Sequence, residues 1–257
     1  MGFLNYLKFP FKTMLTGYKS YKFFNALTKS NERKLLKIIK TQKGFFDLEE
    51  IHSHMSPLHT LIREGKQDLV GEVLKRPDAL CGVNLQNNPQ KLAPVHVAAK
   101  YGATWVLPEL KKFTCNFMIK TEQGTSPIHI AAAEGFNDFI ELLLEYGVQI
   151  DDKDSIGYTA LFYSVLFSKL ETSKLLLEKG AKPGVQCNIG STPLVNAVLK
   201  GDLELTKYLY RFKEGHKFKA DYKLVHIAAG QPSSEVLRWL HGQGEDIREV
   251  DNSVKVT

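Results

Sequence analysis

An all-α fold, an α-solenoid of short stacked helix pairs, is predicted for this 257-residue chain by three observations. First, one ten-residue pattern recurs. "SPLHTLIREG" carries Pro57, "APVHVAAKYG" Pro94, "SPIHIAAAEG" Pro127, "TALFYSVLFS" Ala160, "TPLVNAVLKG" Pro193 and "KLVHIAAGQP" Leu224, at spacings of 37, 33, 33, 33 and 31 residues. Second, an apolar cluster follows each copy at a similar offset: "DLVGEVL", "WVLPEL", "FIELLL", "TSKLLL", "LTKYLY" and "EVLRWL". Third, polar connections rich in Asp and Gly, such as "VQIDDKDSIGY", separate the units and suit protruding turns. A fixed period in this range is the signature of a stacked array.

Each element has a mechanical reason. Ser126 or Thr192 is an N-cap, and the Pro that follows takes the first helical position, where no N–H partner is lost. Ala131 and Ala132 are small enough for neighbouring helices to approach. Gly135 ends the first helix in a left-handed conformation. Phe139, Ile140, Leu142, Leu143 and Leu144 make the apolar side of the second helix, and Gly147 closes it. Pro108 is expected to kink or shorten the second helix of its unit. A degenerate copy precedes the series at 23–43, with Ala26 in its first helix and Leu35, Leu36, Ile38 and Ile39 in its second. "EVDNSVKVT" at the C-terminus reads as the opening of a further finger, a frayed remnant or a cap strand.

These units closely resemble the ankyrin repeat, a turn or finger hairpin followed by a helix opening with T-P-L-H and a longer antiparallel helix. The resemblance covers roughly residues 23–252, with repeats starting near 55, 92, 125, 158, 191 and 222 inside a domain spanning 23–257. It is strongest at 124–183. The unit at 158–177 departs from it, with Phe162 for the His and Ala160 for the Pro. The resemblance implies that His59, His96, His129 and His226 tie neighbouring fingers together. It also implies a non-enzymatic module, expected to be monomeric, that binds a partner protein on its concave surface.

The contact positions carried over tile by tile are Gln90, Leu92, Lys100 and Tyr101; Glu122, Gln123, Thr125 and Glu134; Ser155, Ile156, Tyr158, Leu166 and Phe167; Asn188, Ile189, Ser191 and Lys200. Several are apolar or aromatic where solvation alone favours polar residues, the composition of an interaction hot spot. Tyr101 and Tyr158 read as the better surface candidates, whereas packing against the adjacent tile competes as a reading for Phe167 and Ile189.

Searches for chemistry return nothing specific. The chain has no phosphate-binding G-x-x-x-x-G-K-[ST] loop, dinucleotide fingerprint, H-E-x-x-H or G-x-S-x-G. His52, His54 and His59 lack a Cys or paired carboxylate to complete a metal set, so no metal and no cofactor are expected. Cys81, Cys115 and Cys187 are too scattered for a disulfide framework, which suits a reducing, cytoplasmic compartment. No secretory signal, N-myristoylation signal or membrane-spanning run is read in the sequence.

Charge is uneven. Residues 1–43 hold ten Lys/Arg and one acid, which leaves 44–257 at −3 of the chain's +6. Residues 1–22 read as a basic aromatic arm with Lys8, Lys12, Lys19 and Lys22 between its rings. The arm is expected either to cap the first tile or to dock on an anionic membrane surface, making a membrane-tethered adaptor; nucleic acid is the weaker fit. Lys- and Phe-rich tiles with a short extra arm also look like those that some intracellular bacteria deliver into host cells, which implies an effector in the host cytosol.

Overall fold

The computed structural model describes residues 11–43, 55–86, 88–212 and 224–245, and it divides into two compact units at Glu122/Gln123. Lys8, His52, His54 and the C-terminal finger at 249–257 lie outside the described residues, as does the side chain of Lys12.

The first unit opens with α1 (Phe11–Thr28) and α2 (Glu32–Thr41). The boundary expected between an arm at 1–22 and a cap at 23–43 falls inside α1, which runs unbroken from Phe11 into the first helix of the degenerate tile. Ala26, Leu35 and Ile39 are buried, and the Asn31 side chain caps α2 by accepting from the Lys34 N–H at 3.0 Å. The next tile is α3 (Pro57–Arg63) and α4 (Gln67–Leu74), followed by the single turn α5 (Ala79–Gly82). Then come α6 (Pro94–Lys100), a 3-10 turn (Thr104–Val106) and α7 (Leu107–Lys112). Pro108 has the effect expected of it. The second helix of this tile keeps only six residues, with Pro108 in its first turn. α3 packs on α4 and α6, and α2 packs on α4.

Arg76 fastens the degenerate tile. Its side chain is 11% exposed and donates to the Ile39 carbonyl, to the Gln42 carbonyl at 2.9 Å and to both oxygens of Asp78 at 2.7 and 2.9 Å. One guanidinium thus satisfies carbonyls that α2 leaves open at its C-terminus. The same contact holds the Asp78 carboxyl below its usual range.

The second unit repeats the pattern with fewer departures: α8 (Pro127–Glu134) and α9 (Asn137–Glu145), α10 (Ala160–Leu166) and α11 (Leu170–Glu178), α12 (Pro193–Lys200) and α13 (Leu203–Tyr210), α14 (Leu224–Ala229) and α15 (Glu235–Gly242). First helices pack in chain order, α8 on α10, α10 on α12 and α12 on α14, each also meeting its own second helix. This is the all-α solenoid arrangement, with no strand among the described residues: the fingers are turns. Phe139, Leu143, Phe162, Leu176 and Leu205 are fully buried, each worth about 1.5–3 kcal/mol. Gly135 has φ +88°, as its helix-ending role requires.

The recurring histidine does two jobs with its two nitrogens. Nδ1 accepts the backbone N–H of the cap residue, from Ala93 to His96 at 2.9 Å and from Ser126 to His129 at 3.1 Å. The imidazole thereby takes the place of Glu in a capping box. Nε2 then carries the proton. In His59 it donates to the Leu92 carbonyl, 33 residues on, at 2.8 Å, and in His129 to the carbonyls of Asp152 and Tyr158 at 2.9 and 3.1 Å. A ring wired this way is neutral. Burial pushes His59 down to about 4 from 6.5, only partly offset by the Leu92 carbonyl, with neighbouring His96 adding to the depression.

Two outcomes are expected. Arg76→Ala lowers the unfolding free energy by about 2–3 kcal/mol, read as a reduced urea midpoint, because it strands carbonyls and a carboxylate together. For His59, the unfolded chain binds the proton more readily than the fold. Its contribution is therefore complete above pH 6.5 and is lost as pH falls from 6.5 to about 4, at most about 3 kcal/mol. Urea titrations at pH 7 and 4.5 should show a smaller pH effect in His59→Gln, which keeps a donor for Leu92 but cannot be protonated.

Candidate partner-binding surface

The fingers are built from the inside. In residues 154–158 the buried Asp154 carboxylate accepts the N–H groups of Ile156 and Tyr158 at 3.0 and 2.8 Å on one oxygen, and the Tyr163 hydroxyl at 2.9 Å on the other. This contact and burial push the Tyr163 hydroxyl up to about 12, burial being the larger cause. Gly157 has φ +85°, and a Cβ there would come within 2.7 Å of Asn188 Oδ1 and 3.0 Å of the Asn188 nitrogen, so no other residue fits.

Successive fingers are joined by backbone rungs. Ser155 N–H donates to the Gln123 carbonyl at 3.1 Å and Asn188 N–H to the Ile156 carbonyl at 3.0 Å. Within the first unit, Glu122 N–H donates to the Gln90 carbonyl at 3.0 Å. The rungs carry the tips of adjacent fingers side by side.

On this frame the expected contact residues separate. In the first unit Gln90, Lys100 and Tyr101 are exposed, Tyr101 at 49%. In the second unit Gln123 and Glu134 are exposed, and Ile156, Phe167 and Ile189 stand out at 53%, 52% and 74%. Tyr158 differs from its expected role as one of the better surface candidates. It is half-buried, its ring stacked on Phe162 at 4.6 Å and edge-on to Tyr163 at 6.2 Å, and burial raises its hydroxyl. Phe167 and Ile189 are the more open pair.

Lys200 is exposed yet engaged. Its ammonium donates to the Leu166 carbonyl at 2.6 Å and to Ser168 Oγ at 2.8 Å, joining the ends of α10 and α12. Leu166 and Leu199 are both exposed at those ends. Leu199 was not among the expected contact positions, although its spacing of 33 from Leu166 was available in the sequence.

Acid–base and metal chemistry find no arrangement here. Ser126, His129 and Asp152 come together in the second unit, with Ser126 Oγ 2.8 Å from His129 Nδ1 and donating to Asp152 Oδ2 at 3.1 Å. A nucleophilic triad needs the carboxylate on the imidazole N–H and the hydroxyl on the opposite nitrogen. Here the carboxylate receives the serine, the N–H is spent on carbonyls, and both Ser126 and His129 are fully buried. Among the described residues no group of three His, Cys, Asp or Glu could hold a metal. Cys115 and Cys187 are buried free thiols, and burial pushes Cys115 up to about 12, far from a reactive thiolate.

On α1, Tyr18 and Tyr21 are exposed and the Lys22 ammonium lies 4.3 Å from the centre of the Tyr18 ring. Lys19 is half-buried on the same helix. No described helix is long and apolar enough to cross a membrane.

Residues 95–187 match the family model described as ankyrin repeats, in three copies. No curated protein matches the chain. The matched stretch contains the Pro127-opened helix, the His96 and His129 caps and the left-handed Gly135 described above. Residues 95–187 are thus three ankyrin repeats, flanked on both sides by helix pairs of the same build.

Proposed function

We propose that this chain is a non-enzymatic adaptor whose second unit holds a segment of a partner protein across its finger tips and first-helix ends. Ankyrin repeats generally mediate protein–protein interaction. The observation that carries the reading is the row of exposed apolar side chains Ile156, Leu166, Phe167, Ile189 and Leu199 on two adjacent tiles. The Asn188–Ile156 rung joins the finger tips of the two tiles and the Lys200–Leu166 bond joins their first-helix ends. Gln123, Glu134 and Lys200 flank it with polar groups, the usual rim around anchors that exclude water. Gln90, Lys100 and Tyr101 offer a comparable set on the first unit.

A second reading rests on α1. Exposed Tyr18 and Tyr21, with the Lys22 ammonium over the Tyr18 ring, suit the interface of an anionic bilayer, in which Lys8, Lys12, Lys19 and Lys22 supply the charge. Both activities fit one molecule, with α1 tethering the adaptor.

Two measurements test these readings. Phe167→Ala with Ile189→Ala, at positions that bear little on stability, should leave thermal unfolding unchanged. Affinity capture followed by mass spectrometry should then lose, by about tenfold or more, the proteins that the unaltered chain retains. Identical captured sets would overturn the placement. For the membrane reading, Lys19→Glu with Lys22→Glu should abolish co-sedimentation with phosphatidylserine vesicles and leave capture intact. Equal sedimentation would dismiss it.

A further inference from the structure

Two fingers of this chain are closed by the same pair of devices. In residues 88–92 the Asn88 side chain accepts the Leu92 N–H at 2.8 Å and donates to the Leu92 carbonyl at 2.6 Å, while His59 donates to that carbonyl at 2.8 Å. In residues 154–158 the Asp154 carboxylate accepts two finger amides, and His129 donates to the Tyr158 carbonyl at 3.1 Å.

The finger at 187–191 has neither device. Cys187 stands 33 residues after Asp154, and Phe162 stands 33 after His129. A thiol sulfur is a weak acceptor and a phenyl ring donates nothing. Among the described residues, the amides of Ile189 and Ser191, counterparts of the Ile156 and Tyr158 amides, have no acceptor. The Ser191 carbonyl receives Cys187 N–H at 3.0 Å but no imidazole. What remains is a turn bond from Gly190 N–H to the Cys187 carbonyl at 2.9 Å and the links from Asn188 to Ile156 and Ser155, both at 3.0 Å. The far side keeps one side-chain tie, from Asn196 Nδ2 to Ser191 Oγ at 3.1 Å, which leaves the Ile189 and Ser191 amides unbonded. On that finger sits Ile189, the most exposed apolar side chain among the described residues at 74%.

We infer that Phe162 and Cys187 are positioning residues: by withholding both ties they let finger 187–191 reshape around Ile189, which makes it the adaptable part of the recognition surface. Segments that move on binding are drawn from the least stabilised parts of a fold, and few side-chain bonds is the structural form of that condition. The inference rests on the partner-binding reading for its purpose, but its test does not.

The test is residue-resolved amide exchange by NMR on the full chain. Ile189 and Ser191 should exchange about tenfold or more faster than Ile156 and Tyr158. Cys187→Asp, which recreates the Asp154 acceptor, should slow Ile189 and Ser191 by about tenfold and leave Ile156 and Tyr158 unchanged. Cys187→Asn, after the example of Asn88, is the second variant. Equal protection of the two fingers in the unaltered chain would overturn the proposal, as would unchanged exchange in either folded variant. Ile189→Ala separates the two ideas. It should weaken partner capture while leaving Ser191 exchange fast, so a failure of the binding reading does not pass for a failure of this one.

Discussion

A helix pair as short as these cannot bury its own apolar side, and everything else in the structure depends on that shortfall. α8 has eight residues and α9 nine, below the length at which an isolated helix persists in water. Stability therefore comes from the next tile. α8 needs α10, and α10 needs α12. The face turned to a neighbour is accordingly made of small or apolar residues such as Ala131, Ala132 and Leu161. Polar residues enter it only when their bonds are made there, as Ser164 and Ser173 do through their hydroxyls at 2.8 Å. The imidazoles solve the same problem at the finger base: His129 satisfies the Ser126 amide and two finger carbonyls, His96 the Ala93 amide and His59 the Leu92 carbonyl, without carrying a charge into the interior.

Stacking leaves two faces unspent, and the chain treats them differently. The second helices are dressed with charge pairs three residues apart: Glu72–Lys75 and Glu109–Lys112 in the first unit, Glu171–Lys174 and Glu204–Lys207 in the second. Such exposed pairs add little stability, but they keep a surface wet. In the second unit the finger tips and first-helix ends carry Ile156, Phe167 and Ile189 instead. The free surface is thus divided, apolar side chains on the fingers and first-helix ends and charge pairs on the second helices.

The parts of the fold that were legible in the sequence are those in which one residue does a local job. Pro at the first helical position, Gly135 beyond the last and the His three residues after the cap act within a turn of themselves, so a single copy reveals them and the period multiplies them. Pro108 belongs to the same class. What stayed hidden depends on contacts across tiles or on continuity along the chain. Nothing local marks α1 as one helix from Phe11 to Thr28, because no cap or repeat signal falls at its start. The exposures of Tyr158 and Phe167 could not be ranked from tile position, since Tyr158 stacks on Phe162, whose ring replaces the expected imidazole. The contact positions were readable as positions; which of them the fold had already spent was not.

Departures from the repeat pattern occur along the chain, with Thr114 left-handed at φ +54°, Val195 at the His position and Leu224 at the Pro position, but four of them, Ala160, Phe162, Ser168 and Cys187, fall together between 160 and 187. Ser168 adopts φ +52° where Gly135 and Gly201, 33 residues away on either side, use +88° and +67°. A left-handed serine is strained by about 1–2 kcal/mol. Its hydroxyl receives the Lys200 ammonium that also holds the Leu166 carbonyl, directly beside exposed Phe167. A repeat optimised only for stacking would keep Gly there, His at 162 and an acceptor at 187, because each is available elsewhere in the same chain and each stabilises. Local rules broken without a stabilising return mark places where a different demand applies. Here the clustered departures lie beside exposed Phe167 and Ile189, so the stretch that gives up local stabilisation is also one that leaves apolar surface open.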